Sequence, residues 1–363
     1  MRHGEARIAI DEEICPELRN GLMTVMGWLR QWYGPPRNPV RIESRVQARP
    51  PANSVQRAGS FLSGGIDSLA TLRSNRLDFP LAHPLAIKDC FIVHGFDIGG
   101  YEGPENEIEH FELAAAALAA VAQDAEITLI PVHTNIKHLD DDVDFWEYEF
   151  HGAALAAIAH AFSRRLNVVS IAGADNIPNL SPNGTHPLLD PNYSSANLRM
   201  RHDGVRFSRL DKVKLVSEWA PALQNVRVCT SNVSGKLNCG ECEKCVRTML
   251  ALVAIGKLDQ TNAFPFKDLS RASLNHIVLK DVTAPYYREL IAPLTDIGRL
   301  DLVEAIEAKV EHFDRYLAWK EERDWKGNIK RFDRRYLGGN VTRVREKVRR
   351  NKQVNHQHDE RTG

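Results

Sequence analysis

The stretch with the clearest chemical character is a short run rich in glycine and serine, Leu62-Ser63-Gly64-Gly65-Ile66-Asp67-Ser68. Apolar residues precede it and a helical pattern follows it, so the sequence predicts a strand, a tight loop and a helix. Glycines permit backbone conformations that other residues avoid, and serines add hydroxyl donors. In such a loop, backbone N–H groups and the positive end of the helix converge on one point. We therefore expect the loop to bind an anion such as pyrophosphate.

A second motif combines four cysteines, Cys229, Cys239, Cys242 and Cys245. Four thiolates are the ligand set of a tetrahedral structural zinc ion, and they leave no open position for water or substrate. Disulfides are disfavoured, because the chain has only six cysteines in 363 residues and three of them are crowded into seven positions. We therefore predict a structural zinc knuckle over residues 229–245, with an iron–sulfur cluster or unbound thiols as alternatives. Cys15 and Cys90 are interpreted as small buried hydrophobic residues.

Further polar residues follow the predicted strand Val168 to Ala172. Asp175 comes three residues after it, and a long loop rich in proline, glycine and asparagine then carries His186 and Asp190. Long loops at the carboxyl end of a strand are usually functional. We therefore expect these side chains to contact a substrate.

Arg209 and Lys212 lie at the start of the next predicted helix. Cations in a first turn oppose the helix dipole, which is an unusual placement unless an anion meets them. The alternative is an exposed lysine that makes no contact.

An α/β fold must position these residues. Between residues 58 and 260, apolar strands alternate with amphipathic helices, which predicts a doubly wound parallel sheet with ligands at the carboxyl ends of its strands. Residues 1–57 form an N-terminal section of unassigned role that ends in a linker around Arg49 to Pro51, and residues 261–363 form a helical, basic C-terminal extension. The other predicted strands are Ala6 to Ile10, a strand ending at Phe61, Cys90 to His94 and Ile127 to Val132, and the predicted helices are Glu17 to Trp32, Pro104 to Gln123 and Trp146 to Arg164.

The composition fits a cytoplasmic enzyme with a large core. The chain has 47 basic and 47 acidic residues and is 43% hydrophobic, so net charge predicts no general affinity for polyanions. The N-terminus lacks the apolar segment of a signal peptide, and the uncharged helical runs are too short to cross a bilayer. Only the stretch 330–352 is strongly basic; it could contact nucleic acid, but a solvated helix or frayed tail is favoured. The sequence carries no signal for the oligomeric state.

The glycine- and serine-rich loop resembles the PP-loop of the ATP pyrophosphatases. It lacks both the Walker spacing and the GxGxxG spacing. The resemblance implies a Rossmann-like fold of the PP-loop or HUP type, in which ATP is split between its α and β phosphates. It also implies that Asp67 helps to hold Mg²⁺ or the ribose-phosphate end of ATP. Ile66 stands where several PP-loop enzymes carry a lysine, so Arg209 and Lys212 become the candidates for contact with the leaving pyrophosphate.

Taken together, the loop, the Lys212 helix and the cysteine knuckle resemble the 7-cyano-7-deazaguanine synthases, enzymes of queuosine biosynthesis. The resemblance covers about residues 58–257 and includes Arg247. It implies ATP, Mg²⁺ and structural Zn²⁺ as cofactors, catalytic roles for Asp67 and Lys212, and a carboxylate that is adenylated and then attacked by ammonia. The loop 179–184 departs from the family pattern. The resemblance therefore supports the activation chemistry more strongly than it supports the identity of the substrate.

Three hypotheses follow. The first is an ATP-dependent C–N ligase that activates a small-molecule or peptide carboxylate for attack by ammonia or an amine. The second is a PP-loop tRNA-modifying enzyme of the thiolase type, which requires a cysteine that handles sulfur and a basic surface for RNA. The third is a non-catalytic nucleotide-binding partner.

Overall fold

The computed structural model describes residues 1–34, 37–47, 56–98 and 104–323. The chain divides into two compact units, Met1–Ile306 and Glu307–Gly363. All of the site residues named above lie in the first unit. The linker predicted around Arg49 to Pro51 and the basic stretch 330–352 lie outside the described residues.

The described part of the chain alternates strands and helices. Its strands are β1 Arg7–Ile14, β2 Arg41–Val46, β3 Ala58–Phe61, β4 Ile87–His94, β5 Thr128–His133, β6 Val168–Ala172 and β7 Arg199–Asp203. Its α-helices are α1 Pro16–Tyr33, α2 Ile66–Asp78, α3 Pro104–Asp124, α4 Val143–Phe145, α5 His151–Ala161, α6 Arg209–Ser217, α7 Ala220–Asn225, α8 Glu243–Ala254, α9 Ala284–Arg288, α10 Ile291–Asp296 and α11 Leu300–Arg323. A π-helical turn, Trp146–Phe150, separates α4 from α5.

A five-stranded sheet in the order β5-β4-β3-β6-β7 forms the centre of the first unit, and all of its strand pairs are parallel. The chain adds strands on one side of β3 and then on the other, so the strand order reverses between β3 and β6. Ligands of open α/β sheets bind at such a switch point, outside the carboxyl ends of the strands. The predicted parallel sheet is confirmed. β7 was not predicted, because the sequence Arg-Met-Arg-His-Asp of this edge strand carries little apolar signal.

An ion cluster fixes the opposite, amino-terminal end of the sheet. Asp89 of β4 is fully buried, and it accepts hydrogen bonds from Arg57 at 2.6 Å and from Arg165 at 2.8 Å. A buried carboxylate requires such partners. Since these arginines directly precede β3 and the Leu166 connection to β6, the cluster aligns the three central strands.

The N-terminal section forms a small βαβ unit in which β1 pairs with β2 in parallel. Its helix α1 lies against the segment that carries the predicted substrate residues. The ring of Trp32 meets His186 edge-on at 4.9 Å between centroids, and the Tyr33 hydroxyl donates to the carbonyl of Tyr148 at 2.9 Å. This section therefore supports the long loop from outside the main sheet.

Contacts also cross residue 260, where the sequence predicts a domain boundary. Glu289 accepts a hydrogen bond from the backbone N–H of Leu210 at 2.9 Å, and Tyr286 donates one to Asp175. The boundaries at 57 and 260 stay predictions, while residues 261–306 belong to the same compact unit as the sheet. Among the helices that the structure describes, none is both long and apolar enough to cross a membrane.

Candidate functional site

The glycine- and serine-rich loop connects the carboxyl end of β3 to the first turn of α2. Gly64 has a φ of +81°, in the left-handed region that favours glycine, and its carbonyl accepts a hydrogen bond from Arg227 N–H at 2.9 Å. Gly65 caps α2 in an extended conformation. The loop is therefore held by its own backbone geometry and by the segment that leads to the cysteine knuckle.

Side chains of the loop divide into anchors and donors. Leu62 is fully buried and Ile66 is 2% exposed, so both fix the loop to the core and offer a ligand only their backbone groups. Ser63 Oγ lies 3.4 Å from Ser68 Oγ and also accepts from Gly65 N–H at 3.4 Å. The donors predicted from the sequence are thus gathered at the start of α2, where the helix dipole favours an anion.

Two cations from α6 reach Asp67 on the first turn of α2. Arg209 Nη1 lies 2.6 Å from Asp67 Oδ2, and Lys212 Nζ lies 3.3 Å from Asp67 Oδ1. Burial alone would raise the pKa of Asp67, but the charges of Arg209 and Lys212 lower it below its ordinary value. Asp67 is therefore a carboxylate at neutral pH, and it holds both cations beside the loop.

Lys212 is buried rather than lying exposed in a first turn. Its side chain is 1% exposed, and Nζ donates to the carbonyls of Gly173 and Ala174 at 2.7 and 2.8 Å. The first turn itself is capped by Ser208 and Asp211, whose side chains satisfy its N–H groups. The alternative of a solvent-exposed lysine without contacts is therefore wrong, because α6 packs against α2 and turns this side chain into the site.

Among the described residues, Arg209 Nε is a buried donor without a hydrogen-bond partner, whereas Asp67 Oδ1 and Arg247 Nε each have an ionic partner, Lys212 at 3.3 Å and Glu243 at 3.0 Å. The side chains of Arg209 and Arg247 are 9% and 8% exposed. Leaving a buried donor or acceptor unpaired is costly, so such groups in native proteins usually meet a ligand, an ion or water. The unpaired donor of Arg209 beside Asp67 is therefore suited to an anion or to a water molecule.

Arg247, on α8 after the last cysteine, is flanked by acidic and aromatic side chains. Its Nε lies 3.0 Å from Glu243 Oε1, and its guanidinium stacks 4.5 Å from the ring centroid of Tyr286. Tyr286 in turn donates to Asp175, and burial raises the pKa of that carboxyl group. The structure thus connects the predicted residue Asp175 to Arg247 through a tyrosine that the sequence did not single out.

A cavity of about 240 Å³ opens beside the loop, between the carboxyl ends of β3, β4 and β6. Its apolar wall includes the aromatic side chains Phe61, Phe91, Phe96 and Trp146. Its polar lining consists of Ser63, Asp67, Ser68, Asp97, His151 and Thr185. An aromatic wall next to an anion site is suited to a ligand that carries both a ring and a phosphate or carboxylate.

His151, which lies within the predicted helix Trp146 to Arg164, also lines this cavity. Its Nδ1 lies 3.1 Å from the carbonyl of Trp146, and its Nε2 lies 3.3 Å from Thr185 Oγ1. A carbonyl only accepts hydrogen bonds, so Nδ1 donates to Trp146, while Nε2 and the Thr185 hydroxyl form the second hydrogen bond. His151 follows the π-helical turn directly, and such turns are frequent at functional sites but leave no spacing signal in a sequence.

His186 and Asp190 lie away from the cavity lining. Asp190 is fully buried and forms a hydrogen bond of 2.7 Å with His202 Nδ1, while burial lowers the pKa of His186. Both residues organise the long loop, since Asp190 Oδ1 accepts from His186 N–H and a residue of the same loop, Thr185, reaches the cavity. Their predicted contact with substrate stays a prediction.

The four cysteines meet in one cluster next to α8. All four sulfurs lie within 4.8 Å of one another, with Cys239–Cys245 at 3.9 Å and Cys229–Cys242 at 4.0 Å. A tetrahedral ion with metal–sulfur bonds of about 2.3 Å places its ligands about 3.8 Å apart, which matches these distances. Backbone N–H groups of Glu241 and Cys242 point at Cys239 Sγ, as expected for a thiolate. These four cysteines could therefore bind a metal such as zinc.

Comparison with protein-family models and with curated proteins finds no match for this chain. The function of the site is therefore inferred from the chemistry and geometry of its residues.

Proposed function

We propose that this protein is an ATP-dependent C–N ligase that releases AMP and pyrophosphate. The observation that carries the proposal is the convergence of three buried cations, Arg209, Lys212 and Arg247, beside a loop of glycine and serine at the switch point of a parallel sheet. Arg209 retains an unpaired buried donor there, which a phosphate chain would satisfy.

The chemistry has two steps. In the first, a carboxylate oxygen of the substrate attacks the α-phosphorus of ATP, the bond to the β-phosphate oxygen breaks, and pyrophosphate leaves with the electron pair. In the second, an amine or ammonia attacks the acyl carbon, AMP leaves, and one proton is released. Positioned cations accelerate such a reaction when they meet the charge that develops on the leaving group.

Each polar residue has a role in this scheme. Backbone N–H groups of the loop and the hydroxyls of Ser63 and Ser68 bind phosphate oxygens, and Lys212 and Arg209 meet the leaving pyrophosphate. Asp67 keeps both cations in place and is the carboxylate available for Mg²⁺, which when bound neutralises charge on the phosphates. The four-cysteine cluster holds structural zinc and fixes the start of α8.

The substrate of the proposed reaction occupies the aromatic cavity with its carboxylate toward the loop. Ring-bearing acids fit the wall formed by Phe61, Phe91, Phe96 and Trp146. The resemblance to the 7-cyano-7-deazaguanine synthases makes 7-carboxy-7-deazaguanine the first acid to test.

Sulfur transfer to tRNA is less well supported by the described residues. Four of the six cysteines share one cluster, and burial raises the pKa of Cys90, which disfavours its thiolate. The remaining Cys15 lies at the start of α1, where its sulfur accepts a hydrogen bond from Ala196 N–H.

The decisive experiment is product analysis by mass spectrometry. Purified protein is incubated with Mg²⁺·ATP, ammonium and a panel of carboxylic acids that includes 7-carboxy-7-deazaguanine, and AMP is scored against ADP. AMP and pyrophosphate that depend on one acid would support the ligase. ADP with phosphate would contradict it, and absence of any nucleotide binding by calorimetry would refute the ATP site itself.

A further inference from the structure

Tyr286 links the predicted ATP site to a segment that the family resemblance does not cover. It lies on α9, beyond residue 257, and is 8% exposed. Its hydroxyl donates to Asp175, which follows the two carbonyls that accept hydrogen bonds from Lys212. One aromatic side chain thus connects α9 to the carboxyl end of β6.

The ring of the same tyrosine supports Arg247. The guanidinium carbon lies 4.5 Å from the ring centroid, within the range of a cation–π contact. Arg247 has one acidic partner, Glu243, which also accepts a hydrogen bond from Tyr287 at 3.3 Å. The stacking orients the plane of the guanidinium, while Nε forms an ion pair of 3.0 Å with Glu243 Oε1.

The segment around α9 also contacts α6, the helix that carries Arg209. Glu289, just after the helix, accepts from the N–H of Leu210, the residue next to Arg209. α6 and α8, which carry Arg209 and Arg247, pack against each other. The segment around α9 therefore braces both helices whose cations face the loop.

We infer that Tyr286 is a positioning residue for the leaving pyrophosphate: it holds Arg247 beside Arg209 and Lys212 as a third cation of that subsite. The inference rests on the proposed ATP site and extends it to a residue outside the resemblance. A flexible arginine would lose side-chain entropy on binding phosphate, whereas a stacked one is already ordered.

The experiment measures the affinities of pyrophosphate and AMP by calorimetry on the full chain. Tyr286→Leu removes the ring and the hydroxyl, and Tyr286→Phe keeps the ring over Arg247. Tyr33→Leu and Tyr33→Phe are the matched controls, because Tyr33 is also a partly buried tyrosine with a hydrogen-bonded hydroxyl but lies on α1. AMP is the internal reference, since it lacks the leaving phosphates.

Tyr286→Leu should weaken pyrophosphate binding by about 3- to 30-fold, the size of a desolvated cation–π contact, and leave AMP affinity unchanged. Tyr286→Phe should retain most of the affinity, and both Tyr33 variants should bind like the wild type. Arg247→Lys, which keeps the charge but not the planar stacking, provides a second route if Tyr286→Leu fails to fold, and it should also lose pyrophosphate affinity selectively.

Unchanged pyrophosphate affinity in Tyr286→Leu or in Arg247→Lys would overturn the inference and leave the ATP site standing. Equal losses for pyrophosphate and AMP would also overturn it, because they would indicate general damage. A wild-type protein that binds neither ligand would instead remove the proposed function.

Discussion

Asp67 is the side chain on which the charge balance of the site depends. It is the only described carboxylate with ion pairs to both Arg209 and Lys212, at 2.6 and 3.3 Å. Asp67→Asn should therefore lower AMP formation about a hundredfold or more, as loss of a well-placed electrostatic group does. Ser63→Ala, which removes one donor from the loop, should act in the same direction. Rates are measured by chromatography of AMP, and a variant that retains wild-type turnover would exclude Asp67 from the mechanism.

Lys212 is expected to matter for stability as well as for catalysis. Its ammonium group is buried with two carbonyls and a carboxylate, so Lys212→Met leaves the charge of Asp67 without one partner. Breaking a buried pair costs about 3–5 kcal/mol, which urea unfolding would detect. Lys214→Met is the matched control on the same helix; its side chain is 51% exposed, so the free energy of unfolding should change by at most about 0.5 kcal/mol. Equal stability of the two variants would contradict the burial of Lys212.

We expect effects of different size when alanine replaces either of the two glycines in the loop between β3 and α2. Gly64 has a φ of +81°, and an added Cβ would also lie 3.4 Å from Arg227 Cβ. Gly64→Ala should therefore cost about 1–2 kcal/mol of unfolding free energy. Gly65 has an ordinary φ of −70° and caps α2, so Gly65→Ala should cost less, at most about 1 kcal/mol for the poorer N-cap. Urea titrations without nucleotide compare the two, and equal losses would show that the left-handed turn at Gly64 is not the constraint.

We expect the cysteine knuckle to bind one zinc ion per chain. Plasma mass spectrometry measures the zinc content of the purified protein. Cys242→Ser should lose the metal, since the binding energy of such sites is on the order of 10–16 kcal/mol and is largely folding energy. Because Cys242 caps α8, the loss should also displace Arg247 and make residues 228–252 sensitive to protease. Cys15→Ser, outside the cluster, is the control that should keep its zinc. Bound iron with absorbance near about 400 nm would instead indicate an iron–sulfur cluster.

At the level of the whole chain, the contacts across residue 260 predict where the protein can be shortened. A chain of residues 1–260 lacks Tyr286 and Glu289 and also the buried side chains Leu274, Tyr287 and Leu290. It should be poorly folded and should not bind pyrophosphate, because α6 and α8 lose their support. A chain of residues 1–323, which keeps every described element, is the control. Cooperative unfolding and normal binding by residues 1–260 would support the domain boundary that the sequence predicts there.

Local patterns alone predicted much of the fold. The strand at Val168 to Ala172 is confirmed to the residue, and the helix predicted at Pro104 to Gln123 ends one residue later, at Asp124. Apolar periodicity predicts these elements because their buried positions recur at a regular spacing along the chain. β7 and the π-helical turn escaped prediction, since neither has a periodic apolar face in the sequence.

Some features of the site depend on residues close together in the sequence, and others depend on contacts between residues far apart in it. The loop of glycine and serine and the group of four cysteines could be recognised from the sequence, because both depend on residue types at short spacing. Only the tertiary structure decided that Lys212 is buried, that Asp190 pairs with His202, and that Tyr286 reaches Arg247. These contacts join residues far apart in the chain, and they exist because helices pack against the sheet and against one another. Spacing cannot report such packing, since the distance between two side chains is set by the fold and not by their separation in sequence.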